Sequence, residues 1–153
     1  MDVKHFRNIS GKFATGVTII TTTLKGEVHG MTANGFMTVS LDPALILISI
    51  GKNQKLHDLL LDSGSFGVSI LSEHQEHLSN HFAGRFDENL VVDFSEKGGM
   101  PLISDALAYF VADVVSSHEE GDHTLFVGKV RVCEGNDEQD KPIMFFGGQY
   151  QFL

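Results

Sequence analysis

Residues 17–24, Val17-Thr18-Ile19-Ile20-Thr21-Thr22-Thr23-Leu24, are β-branched at every position but the last. Such side chains lose rotamer freedom in a helix and pack well on a pleated surface, so this run predicts a strand. Lys25-Gly26-Glu27 then supplies a turn, and residues 28–33 read as the returning strand of a hairpin. A chain that commits so early to an antiparallel pair must find further strands to cover it.

Those strands follow at short intervals. Residues 36–41 form a third, stopped by Asp42-Pro43. Residues 44–50, Ala-Leu-Ile-Leu-Ile-Ser-Ile, show no alternation, which predicts a strand covered on both faces. Residues 66–71 and 123–133 are further strands, and residues 107–115 are read as strand because Tyr109, Phe110, Val111, Val114 and Val115 dominate them. Residues 119–122 are the turn between the last two. A charged turn over 135–141 leads to short strands at 143–146 and 150–153.

Helices are few. Val3, Phe6, Ile9 and Phe13 recur near helical spacing after a possible N-cap, Asp2, with Gly16 just beyond the end. Residues 54–62 predict a short helix ended near Gly64. Ser72-Glu73-His74-Gln75 matches a capping box that opens a helix carrying Leu78 and Phe82 and stopping at Gly84. Residues 85–100 are polar and glycine-rich and read as a long loop. The pattern predicts a mainly β (α+β) fold, an antiparallel β-barrel with a few helices inserted. The 153 residues fit one domain spanning 1–153.

Composition narrows the function. The formal net charge is −9, from 20 acidic and 11 basic side chains, which repels nucleic-acid backbones and anionic membranes. The single cysteine, Cys133, forms no internal disulfide, and the N-terminal residues have no apolar h-region. The longest apolar run, residues 44–50, is too short to span a bilayer. A cytoplasmic protein is expected. There is no G-x-G-x-x-G after a strand, no P-loop, no G-x-S-x-G, no H-E-x-x-H and no paired C-x-x-C.

Four constellations remain. In residues 30–36, Thr32, Asn34 and Gly35 sit where two strands meet, and their backbone groups suit the hydrogen-bonding edge of a flat heterocycle. Asn34-Gly35 is also a common turn signal. Ser49, Lys52 and Asn53, with Arg85 after His81-Phe82-Ala83-Gly84, offer donors suited to phosphate; a turn and a basic helix end account for the same residues. His123 opens a strand after a charged turn and can orient a substrate ring. His74, His77 and His81 share one helix face, but no further ligand completes a familiar metal site, so no metal is assigned.

Taken in order, several segments resemble the flavin reductase-like domain family, particularly the short reductase components of two-component flavin-dependent monooxygenases. They are Gly16-Val17-Thr18-Ile19-Ile20-Thr21, Gly30-Met31-Thr32-Ala33-Asn34, Val39-Ser40-Leu41-Asp42-Pro43, residues 66–72, His81-Phe82-Ala83-Gly84, residues 121–128 and Phe145-Phe146-Gly147-Gly148-Gln149-Tyr150. Gly35 replaces the family's usual Ser, Met37-Thr38 its Thr-Ser, and Ala44 its second Pro.

The resemblance implies an FMN-binding split barrel, homodimeric, that reduces FMN or FAD with NADH or NADPH and supplies the reduced flavin to a separate monooxygenase. A hydride would pass directly between stacked rings, so no acid–base dyad is required. It further implies that Thr32, Ala33, Asn34 and Gly35 line the isoalloxazine. Ser49, Lys52, Asn53, Phe82, Ala83, Gly84 and Arg85 would hold the ribityl-phosphate side. His123 would be the catalytic, positioning residue, and His123 and Tyr150 would lie on the nicotinamide side. A flavin-binding electron carrier with the same barrel, or a barrel for another flat ligand such as haem, are the other readings.

Overall fold

A computed structural model describes residues 1–137 and 140–153. In chain order the elements are α1 (Val3–Ser10), β1 (Thr15–Gly16), β2 (Thr18–Leu24), β3 (Glu27–Ala33), β4 (Phe36–Leu41), β5 (Ala44–Gly51), α2 (Lys55–Ser63) and β6 (Ser65–Ile70). There follow α3 (Glu76–Phe82), β7 (Phe94–Lys97), β8 (Met100–Ile103), β9 (Ala108–Glu120), β10 (His123–Gly135), β11 (Ile143–Phe146) and β12 (Gln149–Phe152).

The β-branched run is β2, and it lies deep inside the fold. Ile20 points into a core with Ile46, Ile48, Ile50, Phe66 and Phe126, while Ile19 points the other way, against Leu71, Leu78 and Ile143. Thr18, Thr21 and Thr22 are buried with their hydroxyls satisfied. Thr18 Oγ1 donates to Ala33 O at 2.6 Å, and Thr22 Oγ1 donates to Ser65 O at 2.8 Å. This is what allows so polar a strand to be covered on both faces.

Seven strands form one antiparallel sheet in the order β3-β2-β6-β9-β10-β5-β4. Its two edges, β3 and β4, are consecutive in the chain and joined only by Asn34 and Gly35. Two residues span a few ångströms, so the sheet must curl until its edges meet there. The result is the split antiparallel barrel that the resemblance implied. Helix α2 plugs the barrel through Leu56 and Leu60, and β1, β11 and β12 form a small second sheet. A tight fit is visible at Gly128, where a β-carbon would stand 2.7 Å from Phe66 Cζ.

Several expectations need correction. The first helix ends at Ser10 with Gly11 as its C-cap, and Gly16 belongs to β1; Asp2 does cap it, its carboxylate accepting from Lys4 N–H at 3.0 Å. The apolar strand β5 is covered on one face only: Ile46, Ile48 and Ile50 are buried, whereas Leu45, Leu47 and Ser49 are half-exposed. Residues 85–100 are not all loop, since they contain β7 and begin β8. The Ser72 turn is not the N-cap. Gln75 takes that place, its Oε1 accepting from Ser72 N–H at 3.0 Å. His74 therefore precedes α3, and the three histidines do not share one helix face. The turn before His123 is shorter than expected, because β9 continues through Glu120. Part of the charged turn over 135–141 lies outside the described residues.

Among the described residues no helix is long and apolar enough to cross a membrane.

Candidate functional site

The Asn34–Gly35 link is the centre of the site. Asn34 lines four clefts, so all of them open onto the seam of the barrel, and three of them concern the site.

The first cleft, about 460 Å³, runs from the end of β3 across to the start of β10. It brings together Thr32, Ala33, Asn34 and Gly35 with Ser49, Asn53 and His123. Strand pairing explains the juxtaposition. β5 lies between β4 and β10, with His123 opposite Gly51 and Phe36 opposite Ile48. Ser49 N–H donates to Gly35 O at 2.9 Å, which fastens the seam to β5.

Missing side chains keep this cleft open. A β-carbon at position 35 would lie 3.0 Å from Ser49 Cβ, and one at position 51 would lie 3.0 Å from Asn53 Oδ1 and 3.8 Å from His123 Nε2. These close approaches, beside the backbone of residues 32–35, fit a flat ring whose edge needs donors and acceptors without bulk.

His123 is held by its neighbour. Its Nδ1 is 2.7 Å from Asp122 Oδ1, and the hydrogen bond, then the charge, of His123 hold the Asp122 carboxyl below the usual carboxylate range. With Nδ1–H donated to that carboxylate, Nε2 faces the space above Gly51.

The second cleft, about 170 Å³, is lined by Thr32, Ala33 and Asn34 from the other side, with Ser79, Ala83, Phe145 and Tyr150. Thr32 Oγ1 donates to Ser79 O at 2.6 Å, and the hydroxyls of Ser79 and Tyr150 are 2.6 Å apart. Tyr150 therefore lies across the seam from His123, not beside it.

Four candidates are outside these clefts. Phe82 turns its ring onto Gly30, where a β-carbon would meet Phe82 Cε1 at 3.0 Å. Gly84 has φ +93°, in open space. Arg85 is exposed and ties down only its backbone, N–H to Asn80 O at 3.1 Å. Lys52 Nζ lies 3.9 Å from Glu119 Oε1. Of the histidine trio, His74 Nε2 is 3.6 Å from Asp140 Oδ1, and His81 Nδ1 accepts from Asp87 N–H at 3.0 Å. No cluster of three or more potential metal ligands exists among the described residues.

A third and larger cleft, about 710 Å³, was not legible in the sequence. It lies between α1 and the β11–β12 turn, lined by Phe6, Arg7, Phe13, Thr15, Gly147 and Gly148 among others, and meets the first cleft at Arg7 and Asn34. The Thr15 hydroxyl in its wall is buried with no hydrogen-bond partner among the described residues.

Comparison with known proteins places the whole chain. The model of the flavin reductase like domain matches residues 10–153. An NADH-dependent flavin reductase of Rhodococcus sp is 43% identical over 97% of this chain and 85% of its own length. The reductase component of 4-hydroxyphenylacetate 3-monooxygenase from Thermus thermophilus is 35% identical, covering 97% of this chain and 95% of its own. Among solved structures, flavin reductase PheA2 in its native state superposes with a TM-score of 0.96 at 49% identity, over 100% of this chain and 99% of that one.

Proposed function

The chain belongs to the flavin reductase like domain family, and we propose from that premise a division of labour around the barrel seam. The protein is an NADH-dependent flavin reductase that reduces FMN or FAD and supplies reduced flavin to a separate monooxygenase. The observation that carries the site is the paired cleft at Asn34, with glycines where a ring must approach backbone.

Flavin, when bound, supplies the ring that accepts a hydride from the nicotinamide. The chain itself binds and orients. Backbone groups of residues 32–35 and the Asn34 amide meet the edge of the flavin ring, and Ser49 and Asn53 hold its ribityl side. His123, fixed by Asp122, acts as a positioning residue, meeting the nicotinamide carboxamide through Nε2 and so setting the approach of the two rings. Holding them in near-attack geometry is the chief source of acceleration here. Lys52 and Arg85, which stand outside the two clefts, serve the flavin phosphate, with Phe82, Ala83 and Gly84 shaping the segment that presents Arg85. Tyr150 closes the smaller cleft.

The molecule works as a homodimer in the cytoplasm. Val3 and Ile9 are 63% and 53% exposed on α1, and Met37, Val39 and Leu41 are exposed on β4. Exposed apolar side chains of this kind are what a second copy covers. Its partner also encloses a flavin that a shallow single-chain cleft leaves open.

Steady-state oxidation of NADH and NADPH with FMN, FAD and riboflavin added in turn tests the activity. NADH should be consumed only when flavin is present. A rate never above the uncatalysed one, with every combination, would overturn the reductase reading.

A further inference from the structure

Among the described residues Arg7 is the one Lys or Arg that lines the 710 and 460 Å³ clefts, and it lies where they meet. In a chain of net charge −9, a bare cation facing a cleft is the feature an anion would seek. Among the described residues its guanidinium has no hydrogen-bond or ion-pair partner; its one electrostatic relation is the field that helps depress Asp122. Asp122 in turn holds His123. Arg7 thus belongs to the His123 end of the site.

The backbone beside Arg7 is anchored, and its side chain is exposed. It leaves α1 in the last turn, and the helix end is fastened to the β11–β12 turn by Gly147 N–H donating to Gly11 O at 2.8 Å. Gly147 and Gly148, with φ +61° and +80°, form the facing wall without side chains. A basic residue in a last helical turn is favoured by the helix dipole anyway. That preference does not place it at a cleft junction, nor does it account for an opposite wall of bare backbone.

We propose that Arg7 recognises the phosphate of the nicotinamide nucleotide, gripping it at the junction of the two clefts while His123 meets the nicotinamide. The assignment rests on the reductase reading and adds to it a specificity-determining residue on α1. The guanidinium fork matches phosphate oxygens bidentately, and the 710 Å³ cleft beyond it accommodates the rest of the nucleotide. The flavin phosphate is the competing occupant, and an acceptor without phosphate distinguishes the two.

The test compares wild type with Arg7→Met and Arg7→Lys, using riboflavin as acceptor so that the flavin carries no phosphate. Arg7→Met should raise KM for NADH on the order of tenfold or more, as expected for losing a hydrogen bond to a charged group. It should raise KM much more than it lowers kcat. KM for reduced nicotinamide riboside, which lacks phosphate, should not follow, and Arg7→Lys should recover part of the loss. Nicotinamide mononucleotide binding, measured by calorimetry without flavin, should weaken in parallel and lose its salt dependence. The proposal is overturned if both nicotinamide substrates lose equally, which marks a structural role. It is equally overturned if mononucleotide binding is unchanged, or if the KM for FMN rises while that for NADH does not. Should wild type oxidise NADH with no flavin at all, the reductase reading fails, and mononucleotide binding still decides the role of Arg7.

Discussion

The hydroxyl of Tyr150 stands 2.6 Å from that of Ser79, so the C-terminal strand β12 is clasped to helix α3 directly behind the barrel seam. Ser79 is fully buried, and its carbonyl also receives the Thr32 hydroxyl. Three separate elements, β3, α3 and β12, are thereby fixed around one small cleft.

Tyr150→Phe should lower unfolding free energy by about 1 kcal/mol, the net value of an ordinary hydrogen bond. Ser79→Ala should cost a similar amount, and the double variant little more than either alone, because each removes the same bond. Urea titration checks this. Fully additive losses would show that the two hydroxyls act separately.

His123→Ala should weaken the use of NADH while flavin affinity stays nearly unchanged, since the loss falls on ring positioning. Asp122→Asn should do the same to a smaller degree, because an amide can still accept from Nδ1–H without the charge. Steady-state KM and kcat for NADH, set beside flavin fluorescence titration, separate the two. Abolished flavin binding in His123→Ala defeats the division between the sides of the seam.

How much of this was legible in the sequence differs from one residue to the next. The β2 run announced itself because seven consecutive β-branched side chains have no comfortable helix. Residues 32–35 stood out as small and amide residues between two strands, although Asn34-Gly35 is equally a turn signal, and it was the resemblance that tied them to a flat ring. Side-chain direction over a rim is not encoded locally, so Phe82 was grouped with phosphate-side residues although its ring packs on Gly30. Arg7 was invisible for the same reason. Helical spacing shows which face is apolar, not what the opposite face leans over. β5 was misread because Leu45 and Leu47 imply a cover that a single chain does not provide.

Gly51→Ala should raise KM for NADH by crowding Asn53 Oδ1 and the approach to His123 Nε2, at 3.0 and 3.8 Å from the new carbon. The β-strand backbone tolerates alanine, so stability should change by less than about 1 kcal/mol. Kinetics beside a thermal melt distinguish a blocked site from a damaged fold. Unchanged KM would remove Gly51 from the site.

Burial raises the Tyr109 phenol above its ordinary range, although the Ala106 N–H it accepts opposes the shift. The neutral phenol is thus favoured by folding. Its contribution to stability is complete below the unfolded tyrosine pKa and is lost as pH rises through the folded one. With two tyrosines and no tryptophan, the ultraviolet difference titration is simple to read. The late-ionising step should vanish in Tyr109→Phe, and its persistence there would assign it to Tyr150.

The two-residue link between β3 and β4 has a kinetic consequence. Neighbours in sequence occupy opposite ends of the sheet order, so the seam closes only after β2–β6, β6–β9 and β10–β5 have paired across long stretches of chain. Such non-local pairings make folding slow, on the millisecond-to-second scale typical of barrels. The ligand clefts lie at that seam and are assembled last. In refolding experiments, far-ultraviolet β signal should therefore recover before flavin binding does, the lag measuring the time the barrel takes to close.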